Sequence, residues 1–249
     1  AFSVAAKADV SVDLTTGMPG YWSVDGHFVS GSMPDGYQQS ANSNQLIITA
    51  LPNLTGAQSQ LSIPHIGYWL GGLTGDFSAT VTAIASGAGG GSFGADNNSS
   101  NRWAALNFSA SDVSVAYGLG NGISVDSPSV AHSGGPLTLN LARTGDQLNL
   151  SYSVGGSSFI NALNLSGQHV LGSVGFDLNA WGVENDPSST DITFSDFTYT
   201  SAPATISGMT GGTASDPTDL SAATVGAIYG TVGDPGHESD FCTVYWGGG

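Results

Sequence analysis

Basic residues are almost absent from this sequence of 249 residues. Only Lys7, Arg102 and Arg143 stand against nineteen Asp and Glu, which gives a formal charge of −16. Nucleic acids and anionic membranes are bound through clusters of Lys and Arg, so the composition argues against both as partners. Such acidity favours solubility, and surface aspartates can also bind cations. The charge alone leaves both interpretations open.

Cysteine and long apolar runs are also scarce. Cys242 is the only cysteine, so no intrachain disulfide can form, and we expect it to be buried or to pair between chains. No apolar run is long enough to predict a membrane span. The sequence begins with Ala1 and not with Met, from which we expect a processed, secreted or extracellular protein.

Six Asn-x-Ser/Thr sequons fit a secreted protein, in a host that glycosylates. They begin at Asn53, Asn97, Asn98, Asn107, Asn149 and Asn164. The sequence therefore predicts N-glycosylation at these positions in such a host.

Helical periodicity is absent, and apolar and polar residues alternate at period two. Residues 137–143 and 148–154 alternate on either side of a Thr-Gly-Asp-Gln turn at 144–147. Alternation of this kind predicts strands with one buried face, and the turn predicts that these two strands pair. The pattern recurs over residues 8–200 and predicts an all-β, antiparallel, two-sheet sandwich. Gly/Ser/Asn-rich stretches at 86–101 and 118–135 are predicted to be long loops.

The same region resembles the second half of concanavalin A-like (laminin-G-like) jelly rolls. The resemblance lies in residues 141–146, which contain Arg-x-Gly-Asp, in 148–152, in Val-Gly-Phe at 174–176, and in the closing Phe-Ser-Asp-Phe at 194–197. It implies a jelly-roll sandwich over residues 1–201. Since this fold carries lectins, glycosidases, lyases, adhesins and structural modules, it does not fix the function.

Residues 202–249 differ from the predicted sandwich. They begin with an Ala-Pro-Ala linker, and the run Asp-Phe-Cys-Thr-Val-Tyr-Trp at 240–246 resembles the first strands of prepeptidase C-terminal modules. A segment this short buries little core alone. We expect a small or partial β module that packs on its own sandwich or pairs with another chain, for example with residues 1–8 of a neighbour.

Residue types that serve in catalysis are sparse. Glycosidases use paired carboxylates, yet Glu184 and Glu238 are the only glutamates and lie far apart in the sequence. An aspartate pair such as Asp191 and Asp196 stays open. The five histidines lack metal-ligand spacing. The sequence favours a protein without catalytic activity.

Calcium is the best candidate cofactor, because hard cations bind carboxylate and amide oxygens, and the resembled jelly rolls often hold one calcium. The candidate ligands form three loop clusters: Asp96 with Asn97 and Asn98, Glu184 and Asp186 with Asp191, and Asp234 with Glu238 and Asp240. Turn formation explains the same residues without a metal.

Aromatic side chains near loops are candidates for stacking on sugar rings. Tyr68, Trp69 and Trp181 lie near predicted loops and are the predicted ligand-binding residues. The other tryptophans lie in strand-like runs, where a core role is expected.

The sequence thus predicts a secreted, non-catalytic recognition or adhesion protein whose ligand is a glycan. One alternative is a structural subunit of an extracellular filament or surface layer, which self-associates by strand exchange at open sheet edges. A third hypothesis is a glycan hydrolase or lyase.

Overall fold

The computed structural model describes residues 9–12, 14, 23–25, 35–55, 66–73, 75–97, 102–120, 123–167 and 174–201. These ranges form sixteen strands and no α-helix. In chain order the strands are β1 Asp9–Ser11, β2 Ser23–Asp25, β3 Tyr37–Asn42, β4 Gln45–Ala50, β5 Ile66–Leu73, β6 Phe77–Ser86, β7 Gly90–Asn97, β8 Arg102–Ser109, β9 Asp112–Gly120, β10 Ile123–Asp126, β11 Val130–Ala131, β12 Leu137–Thr144, β13 Gln147–Val154, β14 Ile160–Ser166, β15 Val174–Trp181 and β16 Thr190–Ser201. A helix long and apolar enough to cross a membrane does not occur in this part of the chain.

The strands form two antiparallel sheets that pack as a jelly-roll sandwich. Sheet A has the order β14-β13-β12-β6-β16-β4-β3, with β1 paired to β16. Sheet B has the order β10-β9-β8-β7-β15-β5-β2, with β11 paired to β9. The predicted all-β, two-sheet sandwich is confirmed. Residues 202–249 and 1–8, and with them the predictions for the tail, lie outside the described residues.

The hairpin of β12 and β13 forms as its alternation predicts. Leu137 pairs with Val154 and Thr144 with Gln147, and Gly145 takes a φ of 59° in the two-residue turn between the strands. Along β12 the leucines are buried and the intervening residues are half-buried. The predicted pairing is confirmed, because one apolar face fixes the register of both strands.

Phenylalanine rings hold the two sheets together. Rings from β6 and β16 of sheet A meet rings from β7, β8 and β15 of sheet B edge to face, which is a favoured geometry for aromatic pairs. The pairs are Phe77 with Phe176, Phe93 with Phe197 and Phe108 with Phe194, at centroid distances of 5.0, 5.8 and 6.0 Å.

A β-bulge explains the Phe-Ser-Asp-Phe sequence of β16. Phe194 and Phe197 are three residues apart, so strict alternation would place them on opposite faces, yet both are fully buried in the core. The pairing of β16 with β6 shifts register between Ser195 and Thr198, and Asp196 takes a φ of 50°. The extra residue returns Phe197 to the inner face.

The Gly-rich stretch at 86–101 is not a long loop, and that prediction was wrong. It contains β7, the central strand of sheet B, which pairs with β8 on one side and β15 on the other. A Cβ atom on Gly91 would lie 2.7 Å from Cζ of Phe108 and 2.9 Å from Cγ2 of Ile192. Glycine is therefore required by packing in this strand. The second predicted loop, 118–135, likewise contains β10 and β11.

Arg143 is a charged side chain inside the sandwich, with 3% of its surface exposed. Its Nε donates a hydrogen bond of 2.5 Å to the carbonyl of Gly75, and its guanidinium lies 4.9 Å from the ring centroid of Phe77. Burial lowers the pKa of Arg143, and the neighbouring charge of Asp76 opposes this. Asp76 also accepts the N–H of Gly145 at 2.8 Å. The Arg-x-Gly-Asp sequence thus anchors the β12–β13 hairpin to the start of β6.

Replacement of Arg143 by Met should lower the free energy of unfolding by about 2–3 kcal/mol, because a charge-assisted hydrogen bond and a cation–π contact are lost. Arg143→Lys keeps the charge without the planar guanidinium and should recover only part of the loss. Urea unfolding of both variants measures this. A change below about 0.5 kcal/mol, as for ordinary surface substitutions, would contradict the anchoring role.

Candidate functional site

The outer face of sheet B, turned away from sheet A, has a floor of small residues. Alternation places Ser92 and Gly94 of β7, Ala105 of β8 and Ala116 of β9 on this face. Ala105 and Ala116 are only 8% and 4% exposed, yet they do not belong to the core cluster, and Ser92 is 4% exposed. The floor is therefore recessed.

A row of amides and hydroxyls crosses this floor. Asn179, Ser92, Asn107 and Ser114 lie in register on the neighbouring strands β15, β7, β8 and β9. Nδ2 of Asn179 donates to Oγ of Ser92 at 3.0 Å, which orients both side chains. Each of these groups can donate and accept hydrogen bonds.

Two tryptophans lie at opposite ends of the floor, each over a glycine. A Cβ on Gly90 would lie 3.0 Å from Cζ2 of Trp181, and a side chain on Gly118 would collide with the indole of Trp103. Trp181 pairs with Gly90 and Trp103 with Asp96, six residues further along β7. At about 3.4 Å per residue the two rows are about 20 Å apart. Both tryptophans are half-buried.

Two carboxylates occupy diagonal positions towards the Trp103 end of the same face. Asp177 of β15 is in register with Gly94, and Asp96 of β7 is in register with Gly175. Diagonal neighbours on adjacent strands are roughly 7–8 Å apart. Both aspartates are half-buried. The sheet thus brings together two acids that are far apart in the sequence.

The three predicted aromatic residues fall on sheet B. Trp181 lies on the outer face, and Trp69 and Tyr68 lie in β5, in register with Asp177 and Leu178. Trp103 was expected in the core and was missed. Alternation along β8 could have revealed its position. Trp103 is the neighbour of the inward-facing Ala104, so its side chain lies on the outer face of the sheet.

The predicted metal ligands lie in separate parts of the chain, Asp96 and Asn97 in one and Glu184, Asp186 and Asp191 in another. Asp96 and Asn97 lie on β7 and not in a loop, so the loop placement was wrong. Glu184 is exposed and forms a parallel bridge with Leu54. Within the described ranges, no three His, Cys, Asp or Glu side chains form a group that could hold a metal ion.

Asp186 and Asp191 instead make local hydrogen bonds. Oδ1 of Asp186 accepts the N–H of Ser188 at 2.9 Å, and Oδ1 of Asp191 accepts the hydroxyl of Thr49 at 2.6 Å. The bond from Ser188 to Asp186 is of the kind by which Asp stabilises a turn, which explains this aspartate without a metal. Calcium stays a prediction.

The loop that follows Trp181 is tied to sheet A. The N–H of Gly182 donates to the hydroxyl of Tyr37 at 3.3 Å, and burial raises the pKa of Tyr37, which this bond partly offsets. The N–H of Asn185 donates to the carbonyl of Leu54 at 3.0 Å. These contacts fix the end of β15 and with it the position of Trp181.

The predicted glycosylation sites have different surroundings. Asn53 is exposed in a turn, with a φ of 58°. Asn149 and Asn164 are directly opposite on β13 and β14, and Nδ2 of Asn149 lies 2.5 Å from Oδ1 of Asn164. Asn107 lies on the outer face of sheet B, where a glycan would occupy the floor. Asn97 ends β7, and Asn98 lies outside the described residues.

The calcium prediction can be tested at Asp186. If calcium binds there, the melting temperature should be higher in calcium than in chelator, because a ligand of the folded state stabilises it. Asp186→Asn should abolish the difference, since it removes the charge but keeps an oxygen for the N–H of Ser188. Superimposed wild-type curves in calcium and chelator would contradict the prediction.

Comparison with known proteins gives no family. No family model and no curated protein matches the sequence. An apo Crh5 transglycosylase shares the fold with a TM-score of 0.51 and 11% identity, over 80% of this chain and 86% of that one. A sialidase matches with a TM-score of 0.51 and 8% identity, over 79% of this chain and 19% of that chain.

A bifunctional GH43-CE protein from Bacteroides eggerthii has a TM-score of 0.50 and 14% identity, over 73% of this chain and 25% of that one. The chain thus spans a quarter or less of the length of this protein and of the sialidase. At these identities the likeness shows the fold alone, a jelly-roll β-sandwich.

Proposed function

We propose that this protein binds a neutral glycan along the outer face of sheet B. The observation that carries the proposal is the pair Trp103 and Trp181, each held over a glycine at opposite ends of a small-residue floor. Sugar rings have apolar C–H faces that pack on aromatic rings, and hydroxyls that pair with amides and hydroxyls. The row from Asn179 to Ser114 supplies such polar groups between the two rings.

The separation of the tryptophans indicates a ligand of several sugars. About 20 Å along β7 is too far for one ring to touch both indoles. A floor of Ser92, Gly94, Ala105 and Ala116 leaves room for a chain to pass over the sheet. We therefore propose that an extended segment of an oligosaccharide or polysaccharide lies between Trp103 and Trp181.

The charges on the face favour a neutral ligand. Asp96 and Asp177 lie on this face. Arg143 instead points into the core, and Arg102 lies two residues before the inward-facing Ala104 on β8, so alternation places it on the inner face too. Carboxylates on this face repel uronic acids and sulfated sugars. Solved structures with this fold include a sialidase and a transglycosylase, which supports a glycan-related role.

Affinity electrophoresis tests this proposal with neutral polysaccharides (cellulose, xylan, mannan and β-1,3-glucan types) and with alginate as an acidic comparison. The full chain should be retarded by at least one neutral polymer and not by alginate. Trp103→Ala and Trp181→Ala should each weaken binding about tenfold or more, which is about 1.4 kcal/mol.

Phe159→Ala is the matched control. Phe159 is a 53% exposed aromatic residue beside β14 of sheet A, and its removal should leave glycan binding unchanged. Absence of retardation by all neutral polymers, or an equal loss in the Phe159 variant, would refute binding on sheet B.

A second candidate function, glycan hydrolysis, is favoured by the diagonal pair Asp96 and Asp177. Glycosidases use two carboxylates, about 5–5.5 Å apart in retaining enzymes and about 6.5–9.5 Å apart in inverting ones. One carboxylic acid would protonate the leaving oxygen. The other carboxylate would attack the sugar carbon or activate water. Asp177 lies in a row between the two tryptophans, and Asp96 lies in the row of Trp103, so both acids lie along the path of a bound chain.

Release of reducing sugar from the retarding polymer tests this second function. Asp96→Asn and Asp177→Asn should each lower release about a hundredfold or more, the usual range for acid–base groups, while electrophoretic retardation persists. Asp191→Asn, on sheet A, is the control. Binding without any release by the wild-type chain would rule out hydrolysis and leave recognition as the function.

A further inference from the structure

The outer face of sheet A carries a regular array of small, uncharged polar side chains. Alternation places hydroxyls and amides in register across its strands. One row contains Ser153, Thr138, Thr82, Ser195 and Gln45, and the next contains Ser151, Asn140, Thr80 and Thr198. The charged residues placed on the described part of this face are Asp191 and Asp196 of β16 and Asp9 of β1, which is in register with Thr200.

Lateral hydrogen bonds order this array. Nδ2 of Asn140 donates to Oγ1 of Thr80 at 3.0 Å, and Oγ of Ser151 donates to Oδ1 of Asn140 at 3.4 Å. The carboxylates of Asp191 and Asp196 also accept hydrogen bonds from hydroxyl groups. Asp191 accepts the hydroxyl of Thr49, and Oδ2 of Asp196 accepts the hydroxyl of Ser195 at 3.1 Å. Side chains held in place lose less conformational entropy when a partner binds.

The array has an apolar centre. Ile84 of β6 and Ile47 of β4 flank Thr193 of β16 in one row. Ile84 is 37% exposed, one of the large apolar side chains exposed on the described chain, and Ile47 is half-buried. An apolar centre within a polar rim is the usual anatomy of a protein interface.

We infer that a second copy of this chain packs on the outer face of sheet A, related by a two-fold axis. In such a contact each patch meets itself. A charged patch would meet its own charge, whereas hydroxyls and amides both donate and accept and so complement their own copies. For a chain of net charge −16, the outward hydroxyls and amides of β13, β12 and β6, among which no carboxylate lies, are where two copies can approach with least repulsion.

The size of the face fits such a dimer. Seven strands about 4.8 Å apart are about 34 Å wide, and the three rows described above, about 6.7 Å apart, are about 20 Å long. Together they cover roughly 700 Å². Stable interfaces bury about 800 Å² per partner. The outer face of sheet B lies on the opposite side of the sandwich, so the dimer leaves both glycan-binding faces free and becomes bivalent. Only this last consequence depends on the proposed function.

Light scattering after size exclusion, on the full chain over a concentration series, tests the dimer in low salt and in about 1 M NaCl. Because the Debye length falls to about 3 Å at 1 M, salt should strengthen association between two acidic copies. Ile84→Glu should raise the dimer dissociation constant at least tenfold, by placing a carboxylate at the apolar centre.

Val130→Glu is the matched control, since it adds the same charge at a 54% exposed position on β11 of sheet B. It should leave the dissociation constant within about twofold, and both variants should keep the wild-type melting curve. A monomer at every concentration and salt would overturn the inference, as would any assembly that Ile84→Glu leaves intact. Glycan retardation measured on the same samples is a separate readout.

Discussion

The close approach of side chains to both faces of β7 is the constraint on which the sandwich and the candidate site depend. On the inner side, Gly91 leaves space for Phe108 and Ile192 to meet between the sheets. On the outer side, Gly90 leaves space for the indole of Trp181. Glycine inside a strand lowers stability, because it loses more backbone entropy on folding and has no side chain to pack. The aromatic contacts that it permits offset that cost, since each ring pair contributes about 0.5–1.5 kcal/mol beyond its burial.

The parts of the fold that the sequence predicts best are those whose register is set locally. The β12–β13 hairpin needs only two alternating runs and a turn, and all three can be read directly. Strand β7 could not be read in this way, because Gly90, Gly91 and Gly94 have no side chains to show an alternation. Its strand conformation is decided by pairing with β8 and β15, and β15 is about eighty residues away in the chain.

The candidate site was predictable only in part, for the same reason. Trp181 attracts attention as an aromatic residue near a loop, but Trp103 lies inside a strand and only its parity reveals the outer face. The sequence singles out Asp96 only as a candidate calcium ligand and Asp177 not at all, since their proximity follows from the pairing of β7 with β15. The bulge at Asp196 gave no such signal either, because only the burial of both Phe194 and Phe197 makes it necessary.

The distribution of charge follows from the same alternation. Inward positions are apolar, with Arg143 accommodated by the carbonyl of Gly75 and the ring of Phe77. Outward positions are free to differ between the sheets, since they contribute little to the core. Sheet B has two tryptophans and two carboxylates on its outer face, whereas sheet A has mainly hydroxyls and amides there, with its carboxylates on β1 and β16. Because packed sheets lie about 10 Å apart, outer residues on opposite sheets share no partners. Substitutions on the outer face of one sheet can therefore change what that face binds without affecting the other face. Strand β7 is the exception, because a substitution there disturbs both the core and the candidate site.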